Sequence, residues 1–239
     1  MGALAPALGL GPHELVALVG GGGKTTALFA LGDQLGGTVV LTTTTKMGRG
    51  RTAGHEPLFS PSDAELTSAL AAEGTVLAWE ADDDHKALGV DARRCDRWFD
   101  LADHVVVEAD GSRRMPFKAP REHEPVIPSR TTILVACVGS GALGQPVSER
   151  CQRPERVAEV AGCRPTDLLT PERLARVLLS DQGSRKDCPA GARFVVMVNQ
   201  VDESHRSFLD GVATAFDGRA PLIAVSSFDT DPGVTRSGG

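Results

Sequence analysis

Seven short apolar runs punctuate the chain, at 15–19, 38–42, 75–79, 104–108, 131–138, 193–198 and 221–225. They are short, with apolar centres rich in valine and leucine, the pattern of strands buried on both faces. Helical spacing fills several of the intervals. Apolar residues recur at that spacing over 24–35, and Ser62 with Glu65 forms a capping box ahead of Leu66 and Leu70. Pro154 and Pro171 suit first helical positions, the latter behind Thr170 as N-cap. The first ten residues are rich in Ala and Leu with Pro6 among them, and predict a short packing helix. Buried strands alternating with helices predict an α/β fold, a mainly parallel sheet covered by helices on both faces, with ligands at the strand carboxyl ends. Long loops at 43–61, 109–130 and 139–153 all leave from those ends, where functional loops are expected.

Between the first strand and the first long helix stand Gly20, Gly21, Gly22 and Gly23, followed by Lys24, Thr25 and Thr26. Glycines let backbone N–H groups turn around an anion, and the helix start adds a favourable dipole. The arrangement predicts a phosphate loop of a three-layer P-loop NTPase-like fold. Lys24 would reach the β- and γ-phosphates of ATP or GTP, Thr25 would offer its hydroxyl to Mg²⁺, and Thr26 would contact an α- or β-phosphate. Leu18 stands where the first glycine of G-x-x-x-x-G-K-[ST] belongs. The shortened loop resembles that of the Mur-ligase group.

A second constellation ends the fourth run. Val105, Val106 and Val107 lead to Glu108, then Ala109, Asp110 and Gly111. A carboxylate at that strand end can hold a metal-bound water or orient a nucleophilic one, so Glu108 and Asp110 are both candidates for the metal and for catalysis beside Lys24. Thr44, Thr45 and Lys46 close the second strand with hydroxyls and a cation, and are candidates for a second substrate. Pro116, Pro120, Pro125 and Pro128 stiffen the loop that carries Lys118, Arg121, His123 and Glu124, further candidates for an anionic substrate.

Composition narrows the partners. The chain has 239 residues, 41% of them apolar, which suits one nucleotide-binding domain over 1–227 followed by a polar, Gly-rich tail at 228–239, expected to be frayed. A net charge of −6 and no basic cluster, with Arg93–Arg94 and Arg113–Arg114 as isolated pairs, argue against nucleic acid as partner. No apolar run approaches the ~20 residues that span a bilayer, and the N-terminus lacks a signal peptide's basic region, so no membrane partner and a cytoplasmic location are expected. Five cysteines without C-x-x-C spacing are expected to be free thiols, with Cys137 in the core.

The segments VGGGGKTT, LTTTTKM, VVVEADGSRRMPFKAPREHEPVIP and VNQVD, in this order, resemble the YqeC-type accessory proteins of selenium-dependent molybdenum hydroxylases. The resemblance runs from about residue 4 to about residue 225. It implies a selenium cofactor biosynthesis protein acting on a small-molecule selenium or molybdopterin intermediate, with an apo-molybdenum hydroxylase as possible partner. Gln152 stands where that family tends to have histidine, which argues against a catalytic role at the position. Asn199 and Asp202, in Asn-Gln-Val-Asp, resemble the guanine-reading N-K-x-D element of GTPases with Gln200 in place of lysine. Ser226 and Ser227 suit the same base pocket. Three activities fit: an NTP hydrolase or phosphoryl-transfer enzyme, a nucleotide-gated delivery protein, and a Mur-like ligase or small-molecule kinase.

Overall fold

Alternation along one strand sets the layers. In β1 (Glu14–Gly20), Leu15, Ala17 and Val19 enter one apolar cluster, and Val16 and Leu18 enter another, because successive side chains of a strand point to opposite faces. Helices α1 (Leu4–Leu8) and α2 (Lys24–Gln34) cover the Val16 side. On the Leu15 side lie α3 (Asp63–Glu73), α4 (Ala92–Trp98), α5 (Val147–Arg150), α6 (Pro154–Ala161), α7 (Pro171–Leu179) and α8 (Arg206–Phe216). This computed structural model describes residues 4–48, 50, 52–83, 86–226 and 234–237, with the backbone alone at 83 and 234–237.

The remaining strands of the main sheet are β2 (Val39–Thr43), β3 (Leu58–Phe59), β4 (Thr75–Trp79), β5 (His104–Glu108), β6 (Ile133–Gly139), β7 (Arg193–Asn199), β8 (Leu222–Val225) and β9 (Val234–Ser237). Their order across the sheet is β9-β8-β7-β6-β1-β5-β2-β4-β3. Every pairing is parallel except β8 with β9. The expected three-layer α/β architecture is therefore present. Register then positions the chemistry: Leu18 lies opposite Glu108, and Gly20 opposite Cys137. The glycine loop consequently rises directly beyond the ends of β5 and β6.

The local signals for the helices are realised as side-chain caps. Ser62 and Glu65 form the reciprocal capping box, Thr170 accepts from Arg173 N–H, and Pro154 and Pro171 occupy first-turn positions. Pro6 is tolerated in the five-residue α1 because a first-turn residue needs no N–H partner.

Several pairings have no forerunner in the sequence pattern. Met47–Gly48, Lys86–Leu88 and Ala81–Asp83 form a small antiparallel sheet, and Phe117–Lys118 pairs in parallel with Cys151–Gln152. The latter pair knits two of the long loops together. Most of 228–239, the expected tail, lies outside the described residues; Val234–Ser237 pairs antiparallel with β8 at the sheet edge. Among the described residues, no helix is long and apolar enough to cross a membrane.

Candidate functional site

The glycine loop is a close-packed object. A Cβ at Gly21 would lie 2.7 Å from Met115 O and 2.8 Å from Phe117 N, and one at Gly22 would lie 2.5 Å from Gly139 N. Backbone atoms cannot retreat as side-chain ends can, so these positions exclude larger residues. Gly23 adopts φ 81° and N-caps α2 without any side-chain cap. The first-turn N–H groups of α2 thus keep their capacity to receive an anion.

Beneath the loop sits a buried ion cluster. Asp110, 2% exposed, accepts the Gly20 N–H through both carboxylate oxygens at 3.1 and 3.0 Å. It also ion-pairs with Lys24 at 3.3 Å and Lys118 at 2.9 Å. Lys24 Nζ donates to Gly20 O at 2.5 Å and lies 3.9 Å from Glu108. Burial is the largest influence on Lys24 and disfavours its charge, but Asp110 and Glu108 together outweigh it and hold the ammonium above its ordinary pKa.

The two acids separate in role. Glu108 lines the open cleft and accepts the Thr25 hydroxyl at 2.8 Å. Asp110 faces inward, its oxygens taken by Gly20 N–H and two lysines. Thr25 and Glu108 supply hard oxygen donors at the mouth of the cleft, the donor chemistry that suits Mg²⁺ when a ligand's phosphates complete its shell. Those residues fit the metal, and Asp110, held by Gly20 N–H and Lys24, braces the loop beside them.

An ion-pair chain runs from this cluster along the stiffened loop. Lys118 bridges Asp110 to Glu124 at 2.9 Å, and Arg153 contacts both oxygens of Glu124 at 2.9 and 2.8 Å. Burial raises the Glu124 pKa most, yet the hydrogen bond and charge of Lys118, with Arg153, leave it below the ordinary glutamate value. Lys186 clamps the same turn from outside by donating to Glu122 O and Glu124 O, each at 2.9 Å.

The cleft in front of α2 has a volume of about 820 Å³ and is bordered by Gly22 to Thr26 and by Glu108. Lys46, Lys86, Arg113, Arg114, Arg121 and Arg153 also line it. The isolated basic pairs expected from the sequence are thus half right. Arg93 and Arg94 are held by Asp91 and Glu80, whereas Arg113 and Arg114 join cations distant in sequence to make a basic cluster that no local run reveals.

The other expected residues divide. Thr45 lines the cleft, while Thr44 donates to Val126 O at 2.7 Å. Lys118 is buried in the ion chain, and His123 is exposed outside the cleft lining. Asn199 donates to Gly22 O at 2.8 Å, bracing the loop. Asp202 caps the turn at Ser204 and His205, and Gln200 between them lines the cleft. Ser227 lies outside the described residues. Sequence reasoning did not single out Lys86 or Arg153; the signal available for Arg153 was its place before Pro154, where it takes φ 59° and turns back over Glu124. All five cysteines are free, and burial pushes the Cys137 thiol up to about 12.

Comparison with known proteins gives a consistent assignment. The family model described as "YqeC protein" matches residues 16–155, from within β1 to just past Arg153. A protein of Escherichia coli (strain K12) named "Uncharacterized protein YqeC" is 34% identical over 201 residues, covering 79% of this chain and 77% of its own length. No solved structure matches.

Proposed function

Since the chain belongs to the YqeC family, we propose that it is a cytoplasmic P-loop NTPase in the maturation of selenium-dependent molybdenum hydroxylases. It couples hydrolysis or phosphoryl transfer from ATP or GTP to the processing of a small-molecule selenium or molybdopterin intermediate. The hydroxylase setting rests on the family resemblance. The chemistry rests on one observation: the Thr25 hydroxyl and the Glu108 carboxylate meet at 2.8 Å at the N-terminus of α2, beside a buried lysine.

Catalysis here is positioning and charge stabilisation. The first-turn N–H groups of α2 and the glycine loop hold the phosphates, and Gly23 in the left-handed region lets the backbone turn toward them. Lys24 exchanges its bond to Gly20 O for phosphate oxygens. Asp110 keeps the lysine charged and fixes the Gly20 peptide, so the loop needs little rearrangement when the ligand arrives. Thr25 and Glu108 would hold Mg²⁺, which when bound neutralises charge on the transferring phosphoryl group. The remaining Glu108 oxygen would orient an attacking water or acceptor hydroxyl.

A nucleotide-gated delivery role is the second reading, favoured by the Asn199 bond to Gly22 O. That bond ties the end of β7, and with it the Gln200 turn, to the phosphate loop, a route by which a nucleotide could bias a docking surface.

Calorimetric titration with non-hydrolysable ATP and GTP analogues and Mg²⁺ tests the proposal. One analogue should bind, and Lys24→Ala should weaken it roughly 100-fold, about 2.7 kcal/mol. Absence of binding by either analogue to the wild type would refute nucleotide use. Tight binding to a hydroxylase with negligible turnover would favour delivery over catalysis.

A further inference from the structure

The cleft carries more positive charge than a magnesium nucleotide requires. Lys24 is already matched by Asp110 and Glu108, and a metal-bound triphosphate is partly neutralised by its own metal. Glu124 offsets Arg153. Among the described residues, the guanidinium groups of Arg113, Arg114 and Arg121 form no ion pair with a carboxylate, although all three line the cleft.

Exposed arginines are ordinary on a protein surface. A different observation points to a ligand. Gln152 is only 9% exposed, borders the same cleft, and its Oε1 has no hydrogen-bond partner. The adjacent Arg153 Nε is also buried without one. A buried polar atom left unpaired costs about 1–3 kcal/mol, and native structures keep few of them. Arg113 and Arg114 add backbone strain, with consecutive φ of 50° and 65°. Side chains other than glycine seldom accept that geometry, and it clusters at ligand clamps. Packing of Met115 to Phe117 against Gly21 holds the segment in place.

We propose that this wall is a second-substrate subsite for a small phosphate monoester. Arg113, Arg114 and Arg121 take its phosphate, and the Gln152 side chain, turning out of its enclosed and unpaired position, donates its amide N–H to the same phosphate. The proposal deepens the nucleotide reading, on which it rests only for the second ligand's place beside the first. Three guanidinium forks suit a dianion with three terminal oxygens better than a carboxylate with two. The pairing of Phe117–Lys118 with Cys151–Gln152 joins the two loops that supply these groups. Arg153, Glu124, Lys118 and Asp110 then link the subsite to Gly20 through consecutive ion pairs and a hydrogen bond.

The test is calorimetric titration of the full chain with inorganic phosphate, with acetate at matched concentration as the carboxylate probe. Phosphate should bind wild type saturated with the magnesium ATP or GTP analogue, and should bind Lys24→Ala without nucleotide. Arg121→Ala and Gln152→Leu should each weaken phosphate about tenfold against at most a twofold change in nucleotide affinity, and Arg121→Lys should recover part of the loss. Thermal melts establish that each variant is folded. Phosphate excluded by the bound analogue, lost in Lys24→Ala, indifferent to Arg121→Ala, or matched by acetate would overturn the subsite. Should no nucleotide bind, the P-loop reading fails by itself, and the Lys24→Ala titration still decides this one.

Discussion

The Asp110 carboxylate receives the Gly20 N–H on both of its oxygens, at 3.1 and 3.0 Å. An acid that the sequence offers as a metal ligand thereby serves as the foundation of the loop. Asp110→Asn preserves the shape and one acceptor but leaves Lys24 and Lys118 short of a counter-charge in a buried setting. Removing one member of a buried ion pair typically destabilises by about 3–5 kcal/mol. The expected result is a loss of that order in urea denaturation. A variant as stable as wild type would remove the structural role.

Metal dependence should separate the two acids. Thr25→Ala and Glu108→Gln are expected to abolish the gain in nucleotide affinity that Mg²⁺ confers, because both oxygens belong to the cleft mouth. Asp110→Asn should retain that gain at reduced overall affinity. Titrations with and without Mg²⁺ make the comparison, and equal effects at 108 and 110 would contradict the assignment.

Packing distinguishes two glycines of the site. An added methyl at Gly21 meets three backbone atoms at 2.7–2.8 Å, whereas Gly111 has nothing within 4 Å. Gly21→Ala should therefore cost about 1–3 kcal/mol, and Gly111→Ala should change stability by less than about 0.5 kcal/mol. Thermal melts of the pair test this, and equal midpoints would count against the close packing.

Stability should fall at both pH extremes for separate reasons. The lowered Glu124 pKa adds stability that is present above the ordinary value of 4.5 and lost as pH falls through the folded value. The raised Lys24 pKa adds stability that is present below 10.5 and lost as pH rises through its folded value. Urea midpoints across pH should show a shallower acid limb in Glu124→Gln and a shallower alkaline limb in Lys24→Met. Limbs that superimpose on wild type would disprove the link.

Legibility in the sequence followed the range of the interaction. The strands at Thr75–Trp79 and His104–Glu108 coincide with their apolar runs, and others differ at their ends. β6 begins two residues later than its run, at Ile133, because the Thr131 N–H and hydroxyl both close a turn onto Pro128 O. The three cap signals are local chemistry and were readable. Two-residue pairings such as Phe117 with Cys151 carry no period, and the gathering of Lys46, Lys86, Arg113 and Arg153 depends on loops that meet only in the folded sheet. The division of labour between Glu108 and Asp110 was hidden too, since it turns on which carboxylate faces Gly20 N–H.

The hydrogen bond from Asn199 to Gly22 O has a consequence for the order of events during protein synthesis. The glycine loop is made within the first tenth of the chain, yet its flanking strand β6 and its brace on β7 follow more than a hundred residues later. At roughly 5–20 residues per second, the loop waits on the order of ten to thirty seconds for its last support. A nascent chain halted before β7 would carry the whole loop sequence without this brace, so competence to hold phosphate should arise late in translation.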